Sequence, residues 1–163
     1  MSKSTSRYRF VTEWTLDAPI EAVWTELSHP EGWPSWWRGV VAVDLLEPGD
    51  GAGLGARRRL TFRSVLPYHL VFTMRTDRLE RPALIEGRAD GELRGIGRWC
   101  LRSTSAGTAV RYTWTVEAMK PWMRWLAPVG RPLFKWNHDV VMRWGLEGLR
   151  RRLAESGLPP SRA

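Results

Sequence analysis

Apolar and polar residues alternate from Tyr8 to Leu16, with Tyr8, Phe10, Thr12, Trp14 and Leu16 on one side and Arg9 and Glu13 on the other. That period of two predicts a half-buried strand. The following Asp17-Ala-Pro-Ile-Glu-Ala-Val-Trp24 predicts a helix start, with Asp17 or Ala18 as cap, Pro19 in the first turn and Glu21 near the positive end of the dipole. His29-Pro30, Gly32 and Pro34 cut this helix short. A second short helical turn is expected over Pro30 to Trp37, carrying Trp33, Trp36 and Trp37.

Beyond Val40 the period returns to two. Val41, Val43 and Leu45 predict a strand that ends in the glycine-rich turn from Glu47 to Gly55. Arg57, Arg59, Thr61 and Arg63 then alternate with Leu60 and Phe62, the arginines outward. Tyr68, Leu70, Phe72 and Met74 continue the apolar side. Weaker strands are predicted over Ala83 to Ala89 and Gly97 to Ser103, and Val110, Tyr112, Trp114 and Val116 mark a clear last one. Strands joined by short turns with no helices between them predict one antiparallel sheet.

The end of the chain changes character. An apolar, proline-broken linker from Trp122 to Pro128 leads into a long helix predicted from Pro132 to Glu155, with Gly157 as its stop. At 1.5 Å per residue it would be about 36 Å long, enough to cross a whole sheet. Lys135, Asp139, Arg143 and Arg150 share one face. The opposite face, at 100° per residue, takes Leu133, Phe134, Asn137, His138 and Val141, then Trp144, Gly145, Gly148 and Leu149.

Hydrophobic residues at 43% and charged residues at 26% of 163 positions fit one α+β domain over residues 1–163. Its folded core is expected over 7–156, with flexible tails at 1–6 and 157–163. The longest uncharged stretch, Ser64 to Met74, is far too short to span a bilayer. The first residues carry no apolar signal-type run, so a cytoplasmic protein is expected. Cys100 is the only cysteine, which removes disulfides and thiol-rich metal sites, and neither metal nor cofactor is expected.

Two features depart from the average. The net charge is +8, and the segment from Lys120 to Ala163 holds nine basic and three acidic residues. Such an excess suits an anionic partner, although a solvated helix face accounts for it as well. There are also eleven tryptophans. Trp122, Trp125 and Leu126 with Arg124 and Arg131 have the composition of an interfacial anchor, so a peripheral contact with an anionic membrane is one expectation for the linker. A homodimer contact, or a linker folded over the sheet edge, is the other. RNA binding is disfavoured, because the alternation sends the aromatics to the helix-covered face and leaves arginines outside.

The order of strand, two short helices, a run of strands and one long amphipathic helix resembles the START-related SRPBCC superfamily, also labelled polyketide cyclase/dehydrase. The resemblance is carried by Asp17 to Trp24, Pro30-Glu-Gly-Trp-Pro-Ser-Trp36, Gly91-Glu-Leu-Arg-Gly-Ile-Gly-Arg-Trp99, and Trp136-Asn-His-Asp139 with Met142 and Gly145. It implies the helix-grip fold, a curved seven-stranded antiparallel sheet wrapped around the C-terminal helix with an apolar cavity between them. It also implies an apolar ligand, since members bind lipids, polyketides, quinones or hormones, and a minority catalyse reactions.

Catalytic templates are lacking: there is no Gly-x-Ser-x-Gly, no P-loop and no His-Glu-x-x-His. Gly51, Gly53 and Gly55 precede a strand rather than a helix, so they form a hairpin connection and not a phosphate cradle. Trp14, Phe62, Leu70, Phe72 and Met74 are expected to line the cavity, together with Trp99, Tyr112 and Trp114 from the later strands. Trp36 joins them from the second short helix, and Val141 and Trp144 from the long one. His29 and His69 read as surface residues. Asn137 and His138 are polar groups on an apolar helix face and need a partner. Backbone carbonyls at the helix start would serve, and so would a ligand carbonyl or hydroxyl. His138 is the one candidate general acid or base. Three functions stay open: an apolar small-molecule binder, a polyketide cyclase or dehydratase, and an interaction protein acting through its basic C-terminal region.

Overall fold

In a computed structural model, which describes residues 7–157 with the side chains of 127 and 128 left aside, seven strands form one antiparallel sheet. The strands are β1 Arg7–Leu16, β2 Val40–Glu47, β3 Arg57–Arg63, β4 His69–Glu80, β5 Leu84–Gly91, β6 Leu93–Thr104 and β7 Gly107–Ala118. They lie in the order β1-β7-β6-β5-β4-β3-β2, so only β1 and β7 join non-consecutive neighbours. Helix α1 (Ile20–Leu27) and a 3-10 turn (Pro30–Ser35) follow β1, and α2 (Pro121–Trp125) and α3 (Ala127–Glu155) follow β7. This is the helix-grip arrangement that the resemblance implies. Most of the segments expected to be flexible, at 1–6 and 158–163, lie outside the described residues.

Four expectations need correction. Pro19, not Asp17 or Ala18, occupies the cap of α1, with its carbonyl taking the N–H groups of Ala22 and Val23 and no side chain capping. Its ring fixes φ at −60° while ψ stays extended at 147°, which starts the helix without a side-chain acceptor. In β2 an irregular register between Val40 and Ala42 turns Val40 inward and leaves Val41 and Leu45 exposed. The linker is helical: α2 occupies Pro121–Trp125, and α3 begins at Ala127, five residues earlier than expected, with Pro132 carried inside it. The buried sector of α3 is also rotated, toward Met142 and Leu153, so Leu133 is exposed and Trp144 only half-buried.

The core is built on tryptophan. Trp37 stands at its centre, with ring centroids 5.3 Å from Trp33, 5.7 Å from Trp36, 6.0 Å from Trp14 and 6.3 Å from Trp99. Alternation along β1 brings Trp14 to this cluster, and the 3-10 turn brings Trp33, Trp36 and Trp37 within five residues of chain. The helix accepts them through two glycines. A Cβ on Gly145 would meet the Trp37 ring at 2.7 Å, and one on Gly148 would collide with the Trp36 carbonyl. The two glycines bring α3 against this cluster, and the cavity lies beyond it.

A candidate ligand cavity under the C-terminal helix

Between the concave face of the sheet and the N-terminal half of α3 lies a cavity of about 170 Å³. An apolar cavity of about 150 Å³ holds a benzene ring, so there is room here for at least one aromatic ring. The middle of the wall is aromatic. Phe62 and Phe72 stack at 5.8 Å, Phe72 lies 5.7 Å from Trp114, and Tyr112 stacks on Trp99 at 4.1 Å. Gly97 keeps this floor low, because a Cβ there would stand 2.9 Å from the Tyr112 hydroxyl and 3.0 Å from the Trp114 ring.

Polar groups gather at the two ends. At the α3 end, Tyr8, Phe10 and His138 form a ladder of rings, with centroids 6.0 Å apart between Tyr8 and Phe10 and 4.4 Å between Phe10 and His138. The His138 side chain is 13% exposed, and neither ring nitrogen has a hydrogen-bond partner. Its Nδ1 stands 3.7 Å from Asp139 Oδ1, too far for a hydrogen bond, while the other carboxylate oxygen of Asp139 takes the Lys135 ammonium at 2.5 Å. Burial therefore outweighs the pull of Asp139 and lowers the His138 pKa to about 4. The imidazole is neutral at pH 7. The Tyr8 hydroxyl is also buried without a partner, and burial raises its pKa against the opposing charge of Arg131.

Asn137, one residue away, is satisfied differently. Its Oδ1 accepts the Val65 N–H at 2.9 Å and so ties the connection between β3 and β4 to the helix. Ser64 closes the same connection by accepting the Leu66 N–H at 3.1 Å. Neither Asn137 nor His138 bonds the carbonyls at the helix start. Burial also takes His138 below the near-neutral range that suits a general acid or base.

At the other end, Arg58 reaches inward from β3. Its side chain is 11% exposed, and its Nε donates to Glu31 Oε1 at 2.8 Å, tying β3 to the 3-10 turn. Surface segments finish this end of the wall, among them Pro30 and the β2–β3 hairpin residues Ala52 and Gly53. Arg58 escaped the sequence reading although its alternation with Leu60 and Phe62 placed it on the inner face.

Of the expected lining residues, Phe62, Leu70, Phe72, Met74 and Trp99 reach the cavity, as do Tyr112, Trp114, Asn137, His138 and Val141. Trp14, Trp36 and Trp144 are not part of its wall. Trp14 packs behind Trp37 and Trp99, Trp36 is turned toward α3, and Trp144 lies under the Arg38 guanidinium at 4.6 Å. Trp33 and Trp37 stand in the wall instead. No group of three His, Cys, Asp or Glu side chains suited to a metal occurs among the described residues. No described helix is long and apolar enough to cross a membrane.

The family described as polyketide cyclase / dehydrase and lipid transport matches residues 7–154. The chain belongs to that family. Solved structures share its fold. A Thermus thermophilus protein superimposes with a TM-score of 0.75 at 18% identity, over 92% of this chain and 98% of that one. The Zhui aromatase/cyclase from a Streptomyces species gives 0.75 at 17% identity, over 96% and 99%. A START superfamily protein from Mycobacterium smegmatis gives 0.72 at 15% identity, over 92% and 98%. No functionally curated protein matches the sequence.

Proposed function

We propose that this member of the polyketide cyclase / dehydrase and lipid transport family carries an apolar, ring-sized small molecule bearing an oxygen function, held in the cavity beneath α3. The observation that carries the reading is His138: a buried, neutral imidazole on the cavity wall with both nitrogens unpartnered. A buried polar group without a partner is costly, and a ligand hydroxyl or carbonyl would remove that cost. Apolar burial against Phe62, Phe72 and Trp114 supplies affinity, at about 25 cal/mol per Å² before the costs of binding are subtracted. Tyr8 and His138 at one end and Arg58 at the other orient the occupant.

The test compares naphthol with naphthalene by calorimetry. Wild type is expected to prefer naphthol by roughly three- to tenfold, the worth of one neutral hydrogen bond, and His138→Phe to erase the preference. Equal affinity of wild type for both compounds would overturn the role of His138.

The likeness to an aromatase/cyclase supports a second reading, in which the cavity acts on a polyketide-like chain. Ring closure needs a base for an acidic C–H and a positive charge for the enolate oxygen. Neutral His138 has the first property, but Arg58, at the opposite end of the cavity and paired with Glu31, does not stand beside it to supply the second. A pKa of about 4 makes His138 a weak base, which favours the carrier reading. Turnover of a poly-β-ketone thioester to an aromatic product, lost in His138→Phe, would reverse that order.

A further inference from the structure

The outer side of α2 and the start of α3 is apolar. Trp125 is 84% exposed and Val129 79%, and Trp122, Leu126, Leu133 and Trp136 are exposed beside them. Val129, Leu133 and Trp136 follow the i, i+4, i+7 spacing that lines one side of a helix. The residues one position on, Gly130, Phe134 and Asn137, are buried. This part of α3 therefore carries a second apolar stripe, about 100° round the helix from its buried sector. Exposed apolar residues scattered singly need no explanation, but a contiguous helical stripe marks an interaction surface.

Charge says what covers it. The stretch from Lys120 to Trp136 contains Lys120, Arg124, Arg131 and Lys135 and no acidic residue. Lys120 is paired with Glu92 and Lys135 with Asp139. Arg124 and Arg131 have no carboxylate partner among the described residues. A two-fold contact between copies of this chain would set the patch against itself and bring the two copies of Arg124 together with no acid from the stretch to receive them. Tryptophan and aliphatic side chains beside the unpaired Arg124 instead match the boundary between acyl chains and anionic headgroups.

We propose that α2 and the first turns of α3 form a docking surface for an anionic lipid bilayer, with Trp125, Val129, Leu133 and Trp136 entering the interface and Arg124 facing the headgroups, while Arg131, about 200° round the helix from Val129, stands on the far side. The same two elements close the cavity from inside through Met123 and Phe134. The docked face is thus the outer side of the cavity wall. Docking itself does not depend on what the cavity holds.

The test is flotation of the full chain with vesicles of phosphatidylcholine alone and of phosphatidylcholine mixed with phosphatidylserine. Binding is expected only to the mixed vesicles and to weaken with salt, falling by about fivefold in Arg124→Gln and staying near wild type in Arg131→Gln, which lies on the far side of the helix. The double variant Trp125→Ser/Val129→Ser is expected to abolish it with an unchanged thermal midpoint, since both side chains are exposed. The proposal is overturned if mixed vesicles bind no protein, or if binding survives the double variant. It is equally overturned if the wild type is a dimer in solution that the double variant converts to monomer.

Discussion

The indole N–H of Trp37 donates a 2.8 Å hydrogen bond to the carbonyl of Val141, joining positions 104 residues apart in sequence. The bond is buried and both residues stand in the cavity wall. It fixes the distance between the tryptophan cluster and α3, and through that the width of the cavity. Trp37→Phe keeps a ring but loses the donor and part of the packing. A destabilisation of about 2 to 3 kcal/mol is expected in urea unfolding.

Gly148 offers a sharper test of the same contact. Replacing glycine by alanine inside a helix ordinarily stabilises it by about 1 kcal/mol. Here the new Cβ would collide with the Trp36 carbonyl, a backbone atom that cannot rotate away. The overpacking cost of about 1–3 kcal/mol or more wins, so Gly148→Ala is expected to lower the unfolding midpoint. A raised midpoint would place the helix farther from the 3-10 turn than described.

His138 makes stability depend on pH. Its folded pKa of about 4 lies below the unfolded value of 6.5, so between these values the unfolded chain binds the extra proton. Stability from this group is complete above pH 6.5 and is lost as pH falls toward 4, by roughly 3 kcal/mol. His138→Phe is expected to flatten that part of the pH–stability curve, and urea midpoints at a series of pH values would read it.

Much of this was legible in the chain. Alternation along β1, β3, β4 and β7 named the concave face correctly, because a strand's period depends only on backbone pleat and not on what it packs against. The order of elements was enough for the helix-grip fold. The errors lie where a third element decides. Trp14 has the right parity for the cavity, but Trp37 and Trp99 stand in front of it. Trp144 sits at the edge of the helix sector, and the rotation of α3 leaves it under Arg38. Arg58 had inner-face parity all along, and its pairing with Glu31, 27 residues away, is what makes an inward arginine tolerable.

Blocking the cavity separates binding from folding. Leu70 stands in its wall and is only half-buried, so Leu70→Trp is expected to fill space with little effect on stability. Naphthol affinity should fall at least tenfold. Trp144→Arg, which alters a residue outside the wall, should leave that affinity unchanged, and calorimetry on both variants checks the pair.

The most direct measurement is native mass spectrometry of freshly purified protein, followed by denaturation and identification of what is released. The account predicts one apolar, oxygen-bearing passenger per chain in the wild type and none in Leu70→Trp. A wild type that emerges empty and also fails to take up added naphthol would contradict it.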